Sequence, residues 1–519
     1  MDNVMRLFIV LTLWCFILPS AAYAVGRPVK TSSGVVIGHV SRNRTQVSEY
    51  LGIRYAQAPV ASLRFEPPLP YLSRTVFNAS NYSVDCPSNP SAPVAYPNKT
   101  ANFDRVFALF TGGEHKPQGE DCLKLNIWAK SNDLKLKAVL VWFHGGRFTL
   151  GSANSPFFHG QYMADTEDVI VVTINYRINI FEFSGAPGLT QNVGLLDQRL
   201  ALEWLRDNIS GFGGDPTKMT IFGQSAGGVA VDYHSYAWKS DPIVAGLISH
   251  SGTAASFEPS TPAIETKHFN AASGLLGCGT GEAAVPCMKA QNITAILAAV
   301  AKVPVEATGA RPPPPFQPTV DNITVFSISG YEELAKAGEF AKLPYLAGNT
   351  NNEPGFYKIG AFAQGSNLTD AQWELFELEN FTCATAIETA HRAAFSVPTW
   401  RYRYFGDWSN LRLCPGSGAY HGSDIEMVLG TAQDVSLIVN SDIEEITSRY
   451  MMRAWAAFAK NPKSGSSDYG WPLYENSSEE TLVRLGYNNE TTASFVSPQE
   501  YDSRSPDLKG KVSDGVGAF

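Results

Sequence analysis

Basic runs are missing from this sequence of 519 residues, in which 49 acidic side chains outnumber 40 basic ones for a formal net charge of −9. A protein that binds nucleic acid usually presents a basic face, so this balance argues against that class. Internal repeats and long low-complexity linkers are missing too. Since 44% of the residues are hydrophobic and 17% are charged, the composition excludes intrinsic disorder and collagen-like structure and predicts a large core.

Long hydrophobic runs are also scarce. The run Leu7–Leu18 has 12 residues, whereas a helix needs about 20 to span a bilayer. Ala22-Tyr23-Ala24 places small residues where a secretory cleavage site requires them. A membrane anchor is the alternative, because Asp2 weakens the positive start of a signal peptide. The C-terminal segment KVSDGVGAF has no hydrophobic tail for a lipid anchor. We predict a signal peptide at residues 1–24 and a secreted, extracellular protein without a stable membrane anchor.

Cysteines are few, and the common zinc signatures are absent. The sequence has seven cysteines but neither C-x-x-C nor H-E-x-x-H, and its histidines are not clustered. Cys15 lies in the predicted signal peptide. The rest of the chain therefore has six cysteines, an even number that suits disulfide formation in an oxidising compartment. Six cysteines allow 15 pairings, of which loops between nearest neighbours are the simplest. The six are Cys86, Cys122, Cys278, Cys287, Cys383 and Cys414.

The sequence has many N-x-S/T sequons, which are acceptors for N-glycosylation. So many sequons behind a signal peptide predict a glycosylated and largely exposed surface. They are Asn43, Asn78, Asn81, Asn98, Asn208, Asn292, Asn322, Asn367, Asn380, Asn476 and Asn489.

The hydrophobic pattern alternates between strand-like and helix-like segments. Short β-rich apolar runs predict buried strands, and apolar residues at helical spacing predict a helix over Leu195–Ile209. Such an alternation predicts an α/β fold with a large, mostly parallel central sheet and helices on both faces, as one domain over residues 25–519. The predicted strands are Ala138–Phe143, Val169–Tyr176, Met219–Phe222, Val244–Ser249 and Leu343–Ala347.

A G-x-S-x-G motif follows one of these strands directly. In Gly223–Gly227 the glycines permit a sharp turn that exposes the hydroxyl of Ser225, and a helix is predicted from Gly228 onward. This strand–turn–helix context is typical of a nucleophilic serine. The backbone N–H of Ala226, the next residue, is then available as a donor.

A nucleophilic serine needs a base and an acid that orients it. In α/β-hydrolases the order along the chain is serine, acid, histidine. His421 lies in a loop of small residues and is the preferred base, whereas His391 lies in a helical pattern. Glu353 follows a predicted strand and is the preferred acid. Asp424 and Glu426 compete with it but come after His421.

A tetrahedral oxyanion also needs preorganised N–H donors. His144-Gly145-Gly146-Arg147 follows the strand Ala138–Phe143 and resembles the HGGG-type loop of esterases. Together with the serine turn, this loop favours an oxyanion hole at the end of the strand. An ordinary turn after the strand is the alternative.

Taken in chain order, several segments make the sequence similar to the type-B carboxylesterases and lipases, the cholinesterase-like branch of the α/β-hydrolases, and in particular to their secreted fungal members. The resemblance covers nearly the whole chain after the signal peptide. It implies the triad Ser225, Glu353 and His421, and it implies the backbone N–H groups of Gly146, Arg147 and Ala226 as the donors of an oxyanion hole. The segments are YLGIRYAQAPVASLRF (50–65), EDCLKLNIW (120–128), NVGLLDQRLALEWLRDNISGFGGDP (192–216), TIFGQSAGG (220–228), GNTNNEPG (348–355) and YHGSDIEMVLG (420–430).

The same resemblance implies structural features away from the triad. It implies the disulfides Cys86–Cys122 and Cys278–Cys287, with Cys383–Cys414 as in fungal members. It also implies the ion pairs Arg64–Glu120 and Arg177–Asp197, and it places Ser251 near the triad.

Two departures from the family pattern bear on the substrate. Arg147 stands where the family usually has a third glycine; its side chain either narrows the pocket or binds an anionic group. Gln224 replaces the glutamate common in cholinesterases, and no tryptophan lies between Cys86 and Cys122 to hold a quaternary ammonium group. We therefore reject a choline ester as substrate.

Phe103, Val106, Phe107 and Phe110 have the spacing of an amphipathic helix between Cys86 and Cys122. This helix is either a lid that opens onto lipid or a cap that simply packs, so the sequence does not separate esterase from lipase. We predict a secreted serine carboxylesterase that acts on small-molecule esters without a metal or organic cofactor. The alternatives are a tailoring esterase or acyltransferase of a natural-product pathway, and a catalytically inactive adhesion protein. The sequence does not specify the oligomeric state.

Overall fold

The computed structural model describes residues 24–89, 91–112, 116–130, 135–304, 313–475 and 479–503. The predicted signal peptide up to residue 23 and the sequon Asn476 lie outside the described residues. The strands are β1 Val29–Thr31, β2 Gly34–Ile37, β3 His39–Val40, β4 Val47–Arg54, β5 Val76–Asn78, β6 Lys124–Lys130, β7 Lys137–Phe143, β8 Ile170–Ile174, β9 Gly214–Gln224, β10 Gly246–His250, β11 Tyr345–Thr350, β12 Thr399–Tyr404, β13 Leu482–Leu485 and β14 Ser494–Val496.

Helices follow most of the strands of the second half. They are α1 Phe103–Thr111, α2 Gln161–Glu167, α3 Val193–Asn208, α4 Ala226–Ala237, α5 Pro262–Leu275, α6 Val285–Ala290, α7 Ile293–Val300, α8 Ile328–Ala337, α9 Pro354–Ala363, α10 Asp370–Glu377, α11 Cys383–Ala394, α12 Ile425–Leu429, α13 Ala432–Ser436, α14 Asp442–Lys460, α15 Gly465–Asp468 and α16 Gln499–Asp502. A π-helical turn, Leu378–Thr382, joins α10 to α11.

An 11-stranded sheet forms the centre of the fold, in the order β14-β13-β12-β11-β10-β9-β7-β8-β6-β4-β3. The neighbours from β13 through β8 pair in parallel, and the strands at both ends pair antiparallel. The predicted α/β fold is confirmed, and all the strands predicted from the sequence lie in this parallel part. A separate three-stranded sheet contains β1, β2 and β5.

Apolar cores cover both faces of the large sheet. All seven residues of β7 are buried, and alternate side chains point to opposite faces: Val139 and Val141 join one hydrophobic cluster, Leu140 and Trp142 the other. Helix α3 packs into the first cluster and α14 into the second. A strand buried on both faces reads as a continuous apolar run, which is why β7 was recognisable in the sequence.

Four neighbouring strands, β11, β10, β9 and β7, end at the same edge of the sheet. Because they are parallel, the residues that follow their carboxyl ends are brought together there. Glu353 follows β11, Ser251 follows β10, Ser225 follows β9, and His144 follows β7. Residues separated by more than 200 positions thus meet at one edge.

The loop with α1 is tied back to the body of the protein. The disulfide Cys86–Cys122 closes it, and Cys278–Cys287 closes a second loop, both as predicted.

The two predicted ion pairs are confirmed as well. Arg64 contacts Glu120 at 2.6 Å and Arg177 contacts Asp197 at 2.7 Å. All four charged side chains of these pairs are buried.

The predicted disulfide Cys383–Cys414 is wrong: both residues are buried thiols. Cys383 begins α11 beside Thr382, whose carbonyl accepts a hydrogen bond from Arg401 of β12. Cys414 follows Leu413, whose carbonyl instead accepts from the N–H of Thr100, in the loop before α1. The residues that precede the two cysteines are therefore held by different partners.

The predicted glycosylation sites divide into exposed and buried asparagines. Asn208 and Asn380 are buried, and their side-chain amides donate to the backbone carbonyls of Trp204 and Phe376. The folded chain does not present these two to solvent, which argues against them as glycan acceptors. The other eight described sequons are exposed: Asn43, Asn78, Asn81, Asn98, Asn292, Asn322, Asn367 and Asn489.

The amphipathic helix predicted between Cys86 and Cys122 is α1. Its residues Phe103, Val106 and Phe107 are buried, and the ring of Phe110 lies 6.4 Å from that of His421. Arg105 ties the helix to α13 by donating to the carbonyls of Asp434 and Val435. In the described part of the chain, no helix combines the length and the hydropathy needed to cross a bilayer.

Candidate active site

Ser225 lies on a sharp turn between β9 and α4. Its backbone angles, φ 57° and ψ −125°, are rarely adopted by a residue with a side chain. The turn is held by its own backbone, because Ser225 donates its N–H to the carbonyl of His250 at 2.8 Å and accepts from the N–H of Val229 at 2.9 Å. The strained geometry predicted from G-x-S-x-G is therefore present.

Glycines allow the turn to pack tightly against the neighbouring strand. A Cβ atom on Gly227 would overlap the carbonyl oxygen of Phe143, at the end of β7. A Cβ atom on Gly145 would lie 2.6 Å from the carbonyl oxygen of Gln224. The loop after β7 thus rests directly on the serine turn, which only residues without a side chain permit.

His421 and Glu353 are in direct contact, Nδ1 of the imidazole facing Oε2 of the carboxylate. The second oxygen, Oε1, accepts from the hydroxyl of Ser251 at 2.7 Å and from the N–H of Thr350 at 2.8 Å. Glu353 and His421 are buried. The carboxylate is therefore fixed in one orientation, with its free side toward the imidazole. Ser251 therefore lies beside Glu353, as predicted.

The other imidazole nitrogen has two neighbours that the sequence analysis missed. The side-chain amide of Gln224 lies 2.9 Å from Nε2 of His421, and the hydroxyl of Tyr357 lies 3.2 Å from it. Since Nδ1 faces a carboxylate, Nε2 is the acceptor in these contacts. Gln224 is the neighbour of Ser225, and Tyr357 is one helical turn after Glu353 on α9, so spacing from the predicted triad would have pointed to both.

The loop Gly145–Phe148 places N–H groups beside the serine. Gly146, Arg147 and Phe148 have positive φ angles of 110°, 57° and 57°. The carbonyl of Gly146 accepts from the N–H groups of Thr149 and Leu150, both at 3.0 Å. In a planar trans peptide this directs the N–H of Arg147 the opposite way. Ala226 is the first residue of α4, where an N–H has no acceptor within the helix.

Two cavities flank this arrangement. One cavity is lined by Ser225, Ala226, Arg147 and Tyr357, together with Phe148, Val229, Tyr233, Phe257, Glu258, Pro259, Gln317 and Pro318. The lining of a second cavity includes Gln224, Gly145, Gly146 and Phe110. A ligand at Ser225 thus has space on both sides.

The competing candidates from the sequence lie elsewhere. His391 is a half-buried residue of α11 rather than a solvated one. Asp424 contacts His250 at 2.8 Å and Tyr402 at 2.8 Å, all buried. Burial raises the pKa of Asp424, but His250 and these hydrogen bonds outweigh it and lower that pKa below its usual value. Burial raises the pKa of Glu426 well above its usual value.

His144, which opens the loop, is held as a neutral ring. Burial lowers its pKa to about 4. Its ring stacks on Tyr176 with centroids 4.3 Å apart, and Nδ1 lies 2.9 Å from the carbonyl of Gly145. The Tyr176 hydroxyl donates to the carbonyl of His144 at 2.5 Å. These contacts fix the position at which the loop leaves β7.

Comparison with known proteins gives a consistent set of matches. The model of the carboxylesterase family matches residues 26–367 and 363–503. "Secreted lipase 5" of Gibberella zeae is 32% identical over 508 residues, which is 91% of this chain and 93% of the relative. "Chlorogenic acid esterase" of Aspergillus niger is 32% identical over 488 residues, 88% of this chain and 90% of the relative. "Acetylcholinesterase" of Bungarus fasciatus is 30% identical over 500 residues, which is 85% of this chain and 79% of the relative.

Proposed function

Since the chain belongs to the carboxylesterase family and is therefore a carboxylic ester hydrolase, we propose that Ser225 is its nucleophile, His421 its general base and acid, and Glu353 the carboxylate that orients the imidazole. The N–H groups of Gly146, Arg147 and Ala226 serve as the oxyanion hole. Every group in this scheme is a side chain or backbone amide of the chain itself.

Acylation begins with the ester carbonyl between Ser225 and these N–H groups. Nε2 of His421 takes the hydroxyl proton of Ser225 while Oγ bonds to the carbonyl carbon, and the oxyanion is held by the backbone donors. Glu353 stabilises the imidazolium that forms. His421 then gives the proton to the leaving alcohol, and the acyl group remains on Oγ.

Deacylation repeats these steps with water. His421 takes a proton from water, the water oxygen bonds to the acyl carbon, and the bond to Oγ breaks as Nε2 returns the proton to Ser225. In the resting geometry Nε2 contacts Gln224 and Tyr357. To act on Ser225, Nε2 of His421 must exchange these two partners for the serine hydroxyl. Catalytic hydrogen bonds that are long or absent in the free enzyme commonly form when substrate binds.

One observation carries the proposal: Glu353 contacts His421, the neighbouring residue Gln224 also reaches His421, and the strained Ser225 lies beside Gln224 under a glycine-rich loop. A fluorophosphonate probe tests it. The probe should label one serine, and peptide mapping should place the label on Ser225. Ser225→Ala should lose the label and essentially all ester hydrolysis while keeping its fold; labelling that persists in this variant would assign the nucleophile elsewhere.

We also propose that the acyl group occupies the cavity that contains Ser225, because most of the side chains that line this cavity are aromatic or apolar. A series of p-nitrophenyl esters of increasing acyl length tests this. Phe257→Ala should extend the accepted length, and an unchanged preference would place the acyl group in the other cavity.

Secretion is the proposal for where the protein acts. It is supported by the predicted signal peptide, by two disulfides and by a relative named as a secreted lipase. Expression in a eukaryotic host should place the mature protein in the medium, beginning near Val25. Retention in the membrane fraction would favour the anchor instead.

A further inference from the structure

The core beside the active site contains a second pair of a histidine and a carboxylate. Nδ1 of His250 lies 2.8 Å from Oδ2 of Asp424. The hydroxyl of Tyr402 donates to the same carboxylate oxygen at 2.8 Å and lies 2.9 Å from Nδ1. All three side chains are 0% exposed, so bulk water does not compete for these hydrogen bonds.

The indole of Trp455 determines which way this pair is bonded. Its N–H donates to Nε2 of His250 at 3.0 Å, and because an indole nitrogen can only donate, Nε2 must accept. The ring therefore carries its hydrogen on Nδ1, facing Asp424. Burial raises the pKa of Asp424, but His250 and the Tyr402 hydroxyl outweigh it and lower that pKa. The carboxylate thus accepts as an ion, in a charge-assisted hydrogen bond of the stronger kind.

His250 holds the serine turn through its backbone. The carbonyl of His250 accepts from the N–H of Ser225 at 2.8 Å. The next residue, Ser251, donates its hydroxyl hydrogen to Glu353 at 2.7 Å. Two consecutive residues at the end of β10 therefore contact both the proposed nucleophile and the proposed acid of the triad.

Asp424 holds the loop that carries the third member of the triad. The N–H of Ser423 donates to the carbonyl of Tyr420 at 2.9 Å, which closes the chain around His421 into a turn. Asp424 follows this turn directly and is the residue at which α12 begins. A carboxylate that is fixed in the core therefore also fixes the imidazole three residues before it.

We propose that the hydrogen bond between His250 and Asp424 sets the distance between the serine turn and the histidine loop, and that both side chains are positioning residues for ester hydrolysis. The inference rests on the function proposed above. Nε2 of His421 must exchange its resting contacts for the hydroxyl of Ser225, and this exchange succeeds only if the two loops keep their separation. A misplacement of about 1 Å can cost about 100-fold in rate. The pair therefore controls turnover without touching the substrate.

The kinetics of Asp424→Ala on p-nitrophenyl acetate test this proposal. Loss of the carboxylate releases the histidine loop from His250, so kcat should fall by about 100-fold. KM should stay within about twofold, because His421 acts in both half-reactions and position 424 lies outside the lining of both cavities. Asp424→Asn keeps an oxygen that accepts from Nδ1 of His250 and should recover most of the lost rate.

Asp502→Ala is the matched control, because it also removes a buried carboxylate, one that accepts from Arg401 of β12 at 2.8 Å. It should lower thermal stability and leave kcat per folded molecule unchanged. An equal loss of kcat in Asp424→Ala and Asp502→Ala would show an effect of stability alone and would overturn the proposal. Wild-type kcat in a folded Asp424→Ala would overturn it too.

A combined variant separates positioning from stability, and it also serves if Asp424→Ala does not fold. His250→Phe, Tyr402→Phe and Asp424→Leu together replace the polar cluster by apolar side chains of similar size, an exchange that is often neutral or stabilising in a core. This variant should melt near the wild-type temperature but keep the low kcat expected for Asp424→Ala. Recovery of kcat together with stability would overturn the proposal.

Fluorophosphonate labelling of the wild type separates this inference from the function on which it rests. If Ser225 of the wild type is not labelled, the proposed function itself fails. If Ser225 is labelled and kcat does not respond to position 424, only the positioning role fails. In Asp424→Ala the labelling rate should fall in parallel with kcat, because labelling also requires His421 to reach Ser225.

Discussion

Ser251 donates its hydroxyl hydrogen to Oε1 of Glu353 at 2.7 Å. Ser251 follows β10 and Glu353 follows β11, so this bond joins the ends of two paired strands. With the N–H of Thr350 on the same oxygen, it leaves Oε2 for His421. The direction of the carboxylate, and through it that of the imidazole, is thus set by the register of the sheet.

The first prediction concerns this carboxylate. Glu353→Gln should keep the geometry but remove the charge that stabilises the imidazolium, which should lower kcat by about 10⁴ by analogy with serine proteases. Ser251→Ala removes one of the donors that orient it and should cost only about tenfold. Both are measured as kcat on a neutral ester, with circular dichroism as a check on folding. A near wild-type rate in Glu353→Gln would remove Glu353 from the triad.

Arg147 gives the second prediction. Its φ of 57° suits glycine, so Arg147→Gly should retain the backbone donor and keep turnover of a neutral acetyl ester within about tenfold of wild type. If its side chain recognises substrate, kcat/KM for esters bearing a carboxylate should fall selectively, by about 1.5–3 kcal/mol of binding. A loss of thermal stability without selectivity would instead assign the guanidinium a structural role. Equal losses on both esters in a stable variant would contradict both roles.

The third prediction tests the packing of the serine turn. Gly227→Ala would put a methyl group onto the carbonyl of Phe143, and an overpacked site typically loses about 1–3 kcal/mol of stability. Esterase activity should fall with it, because the loop over Ser225 must move. Gly274→Ala, in α5, is the matched control, since nothing lies within 4 Å of its Cβ. This control should leave activity unchanged, and an equally benign Gly227→Ala would refute the tight packing.

The fourth prediction concerns pH and His234. Burial lowers the pKa of this histidine of α4 to about 4. The unfolded chain binds the proton near pH 6.5, so the contribution to stability is present above pH 6.5 and is lost as the pH falls toward 4. The loss between pH 7 and pH 5 should be about 2 kcal/mol.

Urea unfolding of the wild type and of His234→Gln at both pH values measures this loss. The glutamine can still donate to the carbonyl of Pro242, which lies 2.9 Å from Nε2 of the histidine. The variant should therefore lose about 2 kcal/mol less than the wild type. Equal pH dependence in the two proteins would show that His234 titrates alike in the folded and unfolded states.

Glycan mapping gives the fifth prediction. Enzymatic release in H₂¹⁸O followed by mass spectrometry should mark occupied asparagines only among the exposed sequons. Asn208 and Asn380 should remain unmodified, because their amides are buried and hydrogen-bonded. A glycan on Asn208 in the folded protein would contradict the placement of α3.

How much of the fold and of the active site could be predicted from the sequence depends on how far apart in the chain the interacting residues are. The turn at Ser225 was predictable because strand, glycines and helix are neighbours in the chain. The buried strands were predictable for the same reason, since each is one continuous apolar run. By contrast, the contact of Gln224 with His421 spans 197 positions. The place of Gln224 next to Ser225 indicates the site but not this partner.

The points at which the structure departs from expectation have the same origin. Pairing neighbouring cysteines gave two correct disulfides, but Cys383 and Cys414 are separated by a strand of the central sheet, β12. The sequon at Asn208 is defined by two following residues, whereas its burial depends on Ser32 and Trp204, one of them 176 positions away. Tertiary contacts decided both outcomes.

The close fit of the serine turn against β7 also sets where this protein can be re-engineered. A mutant library that randomises Gly145, Gly223 or Gly227 would consist mostly of inactive members, since each of these backbones touches another backbone. Phe257, Pro259 and Pro318 line the cavity at Ser225 but lie outside that contact. Combined substitutions at these three positions would give variants with new ester selectivities. The serine turn and its contact with β7 would be unchanged in these variants.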